Sequence, residues 1–323
     1  SCTYCANNNA KKAYRGKGRY FRFMEPRRAI EEVKNIIAGF KTPTTLSFVD
    51  DTFNFDLKWL ETFCEIYKKE INLPFKAMGR GDHITPRSAQ VMKDAGCIRF
   101  VIGVESGNPE LRKNLLNRFI TDEQFFAATK ALREAGIQVQ SSNICGFPGE
   151  TREDMLSTIR LNAHGRVDFP TCGIFWPFRN TDIFKLCIEK GYIDESFDEH
   201  IEKIPTFFEN SILNFSDDFK KFLRFNSKSF PMLVHIYRSF LEFPPSISAA
   251  LVAWFESMYL SEKMEDMLTE DVMLKHTRAF ENGLYKDMEI PLLKEIEEKY
   301  GMQFPDPEIV GRRAEPDSVI PKK

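Results

Sequence analysis

The chain has no hydrophobic run long enough to cross a bilayer. The nearest, Pro244 to Phe255, stops at Glu256, short of the ~18 apolar residues a spanning helix needs. It also has little net charge, −2 over 323 residues, which argues against a protein that holds nucleic acid chiefly by neutralising phosphates. Histidine is scarce. His83, His164, His200, His235 and His276 are far apart, so no pair has metal-ligand spacing. No Walker loop, no G-x-G-x-x-G and no G-x-S-x-G occurs, which removes the common nucleotide-loop and serine-hydrolase readings. The seven cysteines are an odd number and scattered beyond the first pair. A disulfide framework is therefore not expected, and a reducing compartment, the cytoplasm, is. The polar start gives no sign of a secretory leader.

What is present is a regular alternation of helical and strand-like segments over the first ~190 residues, the pattern of parallel βα architecture. Glu25-Pro26 opens a helix with the apolar stripe Ile30, Val33, Ile36, Ile37 and Phe40. Thr45 to Val49 reads as a strand, Asp56 caps a helix carrying Leu60, Phe63, Cys64 and Tyr67, and Phe75 to Met78 reads as the next strand. Thr85-Pro86 starts a helix that Gly96 ends. Ile98 to Val104 is apolar apart from Arg99, as suits a strand covered on both faces. Thr121 and Gln124 form a capping-box pattern, Ile137 to Ile144 is a strand, and Thr151 caps a helix to about Asn162. Thr171 to Trp176 and Asp182 to Glu189 complete the series. Beyond about residue 195 the pattern becomes helical and Phe-rich. The expected helices begin at Ser216-Asp217 and cover Phe230–Phe243, Ser246–Ser261 and Asp287–Tyr300, before an irregular tail from Phe304. The division expected is 1–192 and 193–323. The Phe stripes suit a core; the alternative is the lining of an apolar pocket.

The chemistry-bearing residues gather at the start of the chain and at the strand ends. Cys2-Thr3-Tyr4-Cys5 can place two thiolates on one iron–sulfur cluster or metal ion, and by itself the spacing also suits half of a zinc knuckle. Successive strands run into Val49-Asp50-Asp51-Thr52, Gly79-Arg80-Gly81-Asp82, Gly103-Val104-Glu105-Ser106 and Ile144-Cys145-Gly146-Phe147-Pro148-Gly149-Glu150. An α/β barrel builds its site from residues at these carboxyl ends. Glu105 would be costly to bury without a partner. Cys64, Cys97 and Cys187 fall at apolar-periodic positions and read as core, and packing is also the favoured role for Cys145 and Cys172.

On these motifs the chain resembles the radical S-adenosylmethionine (SAM) superfamily, in particular the branch with an upstream cobalamin-binding domain. The superfamily signature is C-x3-C-x2-C with an aromatic before the last cysteine; Cys2, Tyr4 and Cys5 match its second half. The first cysteine would lie four positions before Cys2, so the expectation is a chain cut within the motif that also lacks the first barrel strand. The resemblance, which spans about Ser1 to Gly191, implies a partial (β/α)6 barrel followed by an α-helical region. It also implies a 4Fe-4S cluster on Cys2 and Cys5, SAM on the cluster's open iron, and cobalamin in an upstream domain. Asp50-Asp51-Thr52 stands where the family has a Gly-Gly-Glu-like segment that binds the SAM amino group. Arg80 would meet the SAM carboxylate, or instead bridge Asp82 or Glu105. Glu105 and Ser106 would face the cofactor, Ile144 would lie on adenine, and Gly146 would let the backbone approach it. Phe178 lies in the loop Trp176 to Thr181, where the family has Pro-x-Pro-Gly-Thr; here Arg179-Asn180 replaces Pro-Gly.

The activity implied is radical generation from SAM with methyl transfer to an unactivated carbon of a small molecule, which the Phe-rich helices permit to be apolar, supported by a reducing partner such as flavodoxin or ferredoxin. Alternatives within the resemblance are ring rearrangement or cyclisation, and tRNA methylthiolation, which the acidic Phe-rich C-terminal half disfavours. A degenerate barrel serving as scaffold or structural metal binder is the non-enzymatic alternative.

Overall fold

The computed structural model describes residues 2–18, 20, 22–194, 197, 209–261 and 263–268. The helix expected over Asp287–Tyr300, the tail, His200 and His276 lie outside these residues.

Five parallel strands pair in sequence order: β1 (Leu46–Phe48), β2 (Phe75–Gly79), β3 (Cys97–Glu105), β4 (Gln138–Cys145) and β5 (Phe169–Ile174). Each crossover carries a helix: α3 (Leu57–Glu70), α4 (Pro86–Asp94), α5 (Asp122–Glu134) and α6 (Arg152–His164). Ahead of β1 lie α1 (Ala6–Ala13) and α2 (Pro26–Ala38), and α7 (Asp182–Glu189) follows β5. This is the partial α/β barrel the sequence implies, with its strand ends on one rim. The helix starts form for the reasons read from the sequence. Asp56 accepts from Trp59 N, and Thr121 and Gln124 close a full capping box. Thr151 pairs with Asp154 in the same way.

The core under β1 to β4 holds Phe53, Phe63, Tyr67, Phe75 and Phe100, all buried. Phe48, half-buried on β1, stands edge-on to Phe63, Tyr67 and Phe75 with centroids 5.4–5.9 Å apart, the favoured aromatic geometry. Cys64, Cys97 and Cys187 are buried thiols, as expected.

The helical region differs from the sequence reading in one respect. Instead of one helix from Ser216 and another over Phe230–Phe243, a single helix, α8 (Asp217–Phe240), runs through Pro231. Proline in a helix interior loses an i−4 hydrogen bond, but α8 lies along β5 and α6 over most of its length, and that packing holds it continuous. α8, α9 (Pro245–Leu260) and α6 share a core with Cys145, Cys172 and Ile174. The Phe stripes go into this core: Phe222, Phe230, Phe240 and Phe255 are all buried. β5 also begins two residues earlier than expected, at Phe169.

Candidate active site

The two cysteines sit on a turn that closes onto α1: Cys5 N donates to Cys2 O (3.3 Å), and Cys5 is the residue capping α1. The turn is tied down on both sides. Thr3 N donates to Leu116 O (3.1 Å), Thr3 Oγ1 to Leu115 O (2.6 Å), and Ile183 N to Thr3 O (3.2 Å). Tyr4 packs against Phe147, centroids 6.4 Å apart. Both thiols are partly exposed.

Beside Cys2 is a charged group that the sequence reading passed over. Arg118 donates to Gly103 O, its Nη1 lies 3.7 Å from Glu105 Oε1, and Cys2 is near enough to act on its charge. Glu105 itself is buried, with φ of 73° at a register break that ends β3. A bulge of this kind re-aims a side chain; here it brings the carboxylate beside Arg118, with Tyr4 near enough to act on its charge. Burial pushes the Glu105 carboxyl above its ordinary range, and Arg118 and Tyr4 pull it part of the way back. Burial likewise works against charge on Arg118, but Glu105, Tyr4 and Cys2 outweigh it and hold the guanidinium firmly charged. Tyr4 is driven well up, first by burial and then by Glu105. Gly103 makes room for the pair, because a Cβ there would lie 2.6 Å from Glu105 Oε1 and 3.1 Å from Arg118 Nη2.

Arg118 reaches this position by a route that has no helical or strand period. A one-turn π-helix, Leu111–Leu115, and left-handed Asn117 (φ 51°) carry the chain back so that Arg118 N donates to Arg112 O (2.8 Å). Arg112, almost wholly buried, holds the preceding turn by donating to Ser106 O (2.7 Å) and to Asp122. Sequence reading missed Arg112 and Arg118 alike. The basic pair Arg112-Lys113 after the Glu-Ser-Gly turn was a signal for the first, and nothing local marked the second.

The other expected residues fall as follows. Ser106 is buried and its hydroxyl accepts from Asn108 N (3.2 Å), so it shapes the turn. Asp50 accepts from Thr52 N (2.8 Å), and Asp51 from Asn7 Nδ2 of α1 (2.5 Å); both are exposed on the rim. Of the three partners weighed for Arg80, the structure gives it Asp82 (Nε to Oδ1, 3.0 Å); Glu105 takes Arg118 instead. Asn54, not singled out from sequence, fixes the Arg80 backbone from both sides, Nδ2 to Arg80 O (2.8 Å) and Arg80 N to Oδ1 (3.0 Å). Ile144 and Trp176 flank the same small core as Tyr4, around Phe147 and Phe175. Phe178 is half exposed, its carbonyl accepting from Thr181. Gly146 has φ of 84° and packs against Leu223 of α8, and its N–H donates to Glu150 Oε2 (2.5 Å). Glu150 is buried, accepts also from Phe147 N (3.0 Å), and leaves Oε1 without a partner. Burial pushes its carboxyl up to about 8.

Whether these residues suit a cluster and a SAM molecule can be tested on the polar atoms they leave over. Among the described residues no three His, Cys, Asp or Glu converge as a metal site, so these residues offer a thiol pair without a third ligand. Next to that pair, Arg118 Nε is buried with no hydrogen-bond partner. A buried donor left unpaired is costly, and an anion beside Cys2 would satisfy it. The donor set fits.

A family model described as the radical SAM superfamily matches residues 1–161. The chain belongs to the radical SAM superfamily. Among relatives of this radical SAM protein, an uncharacterized methyltransferase of Pyrococcus horikoshii is 27% identical over 149 residues, 46% of this chain and 32% of that protein. The bacteriochlorophyllide d C-12(1)-methyltransferase of Chlorobaculum tepidum is 23% identical over 190 residues, 57% and 39% of the two chains. The chain thus spans about a third of the length of the curated relatives it matches. Among solved structures, the cobalamin-dependent S-adenosylmethionine radical enzyme OxsB, with aqua-cobalamin and S-adenosylmethionine bound, superposes with a TM-score of 0.50 at 13% identity. The match covers 94% of this chain and 54% of that one, a likeness of fold.

Proposed function

We propose that this chain is the radical-generating barrel of a cobalamin-dependent methyltransferase that acts on an unactivated carbon of a small molecule. The observation that carries the reading is the buried Arg118–Glu105 pair set against Cys2 at the end of β3, with one guanidinium donor unspent. Cys2 and Cys5 would supply two thiolates to a 4Fe-4S cluster, and a cobalamin-bearing segment would lie outside this chain. The cluster, when bound, supplies the electron that cleaves a carbon–sulfur bond of SAM.

The chain's own residues bind, orient and shield. Arg118 suits the carboxylate of a SAM molecule, since a charge-assisted hydrogen bond to a buried guanidinium is both strong and directional. Glu105 keeps Arg118 aimed and lies where a cationic amino group would gain from it. Asp50 and Asp51 add negative charge on the rim. Tyr4, Ile144 and Trp176 form an apolar wall next to the thiols, and such a wall keeps water from a reactive species. The methyltransferase names carried by relatives support methyl transfer as the outcome.

The test is anaerobic reconstitution of the full-length protein with iron, sulfide and cobalamin, followed by assay of 5′-deoxyadenosine and of methyl-labelled product from labelled SAM. Release of both is expected. An Arg118→Gln variant should keep its iron and bind SAM at least ~10-fold more weakly, the worth of one charge-assisted contact. No 5′-deoxyadenosine with any reductant, at full iron loading, would overturn the reading.

A further inference from the structure

Between Ala6 and Arg28 the chain carries eight lysines and arginines against one acid, Glu25. That segment therefore holds a net charge of +7 in a chain whose total is −2, leaving −9 on the other 300 residues. So strong a local asymmetry creates a field that steers partners of opposite sign.

The structure places part of this charge on the helix and turn that follow the thiol loop. Lys11, Lys12, Arg15, Lys17 and Arg22 are exposed. Lys12 bridges Asp182 (2.8 Å), whereas Lys11, Arg15, Lys17 and Arg22 make no ion pair among the described residues. α1 starts directly after Cys5 and has eight residues, so Lys11 and Lys12 on its last turn lie within about 12 Å of Cys5 along the helix axis, and Arg15 and Lys17 follow directly, continuing this basic ridge. The loop after α1 folds back toward them. Tyr20 Oη donates to Asn7 O (3.1 Å), two residues beyond Cys5, and the Tyr14 and Tyr20 rings lie 6.3 Å apart. Tyrosine and arginine together are enriched at interface centres, and Tyr14, Arg15 and Tyr20 bring both here.

We infer that this ridge is the docking surface for an acidic electron-transfer protein that delivers one electron to the cluster. The inference rests on the proposed cluster at Cys2 and Cys5. In the step the donor loses one electron and the cluster gains it; no bond forms or breaks. Nucleic acid fits the surface less well. A phosphate backbone needs a long track of cations, and this ridge is flanked by Asp50 and Asp51 and surrounded by a chain of net −9.

The experiment uses the full-length protein and a K11E/R15E/K17E variant, with flavodoxin as the acidic probe and bulk tRNA as the competing one. Flavodoxin binding is titrated across a roughly tenfold range of salt, which changes the screening length severalfold. Cluster reduction is then followed optically with flavodoxin hydroquinone and, separately, with dithionite. Binding to the wild type should weaken with salt, and the variant should bind at least ~10-fold more weakly. The variant's flavodoxin-driven reduction should slow to match, while its dithionite rate stays unchanged. A variant that binds flavodoxin and is reduced by it like wild type overturns the proposal, and so does one that loses tRNA but keeps flavodoxin. Charge-dependent flavodoxin binding with no cluster signal under dithionite would uphold the docking surface and defeat the cluster reading instead.

Discussion

At the scale of single residues, two buried acids at neighbouring strand ends have opposite surroundings. Glu105 has Arg118 and Tyr4. Glu150 has two backbone N–H groups on one oxygen and nothing on the other. Its carboxyl is raised from 4.5 to about 8, so between those values the folded chain holds a proton that the unfolded chain has released. Stability contributed by the neutral acid is complete below pH ~4.5 and is lost as pH rises toward 8. Glu150→Gln keeps an acceptor for Gly146 and Phe147 and cannot ionise. The variant should be more stable than wild type at pH 8.5, by on the order of a few kcal/mol, with the gap closing toward pH 5. Urea midpoints across that range check the slope, and a gap that does not vary with pH would refute it. Of the two acids, the sequence reading gave only Glu105 a cofactor-facing role; Glu150 was the end of a strand-end run just before the Thr151 cap. Nothing in a strand-end carboxylate announces whether a cation will come to meet it. Arg118 is 13 positions further on, past a π-turn that has no sequence period, and chain reversal alone brings it back.

At the scale of elements, the turn after β3 is the part of the site most dependent on close packing. Gly107 N donates to Thr158 Oγ1 of α6 (2.7 Å), and a Cβ at Gly107 would lie 2.2 Å from the Ser157 carbonyl carbon. That atom is backbone and cannot rotate away. Gly107→Ala should therefore push the turn off α6 and displace Arg112 and Glu105 with it, costing about 3 kcal/mol or more. Chemical denaturation would register the loss, and a wild-type midpoint would show that the turn can shift freely. Most elements themselves were legible: caps at Asp56, Thr121 and Thr151, and apolar strands ending in acids, follow from local chemistry. α8 was not, because Pro231 reads as a break and only its bed on β5 and α6 keeps the helix whole.

At the scale of the whole molecule, the division at 192/193 expected from sequence meets a continuous interior. α8 and α9 cover Met155, Leu156, Ile159, Cys172 and Ile174, and Arg160 of α6 reaches Glu256 of α9 (2.7 Å). We propose that the helical region is structurally part of the barrel and does not form a separable unit. A fragment ending at residue 192 should lose near-UV circular dichroism and bind ANS, as expected when an apolar sheet face is uncovered. A native-like near-UV spectrum from the fragment would restore the two-domain division. The phenylalanines of α8 and α9 are core more than pocket lining: Phe222, Phe230, Phe240 and Phe255 are buried, and Phe219 and Phe225 pack against them. Among the described residues no helix is long and apolar enough to cross a membrane.

The sequence by itself determined the parallel βα order, the helix starts, the rim position of the acidic strand ends and the thiol pair, because each depends on residues within a few positions of one another. Tertiary structure alone decided which cation meets Glu105, which partner Arg80 keeps, what lies against Gly146, and that the Phe-rich helices pack on β5 and α6. Those contacts join residues tens of positions apart, and their energies arise only when burial removes water from between them.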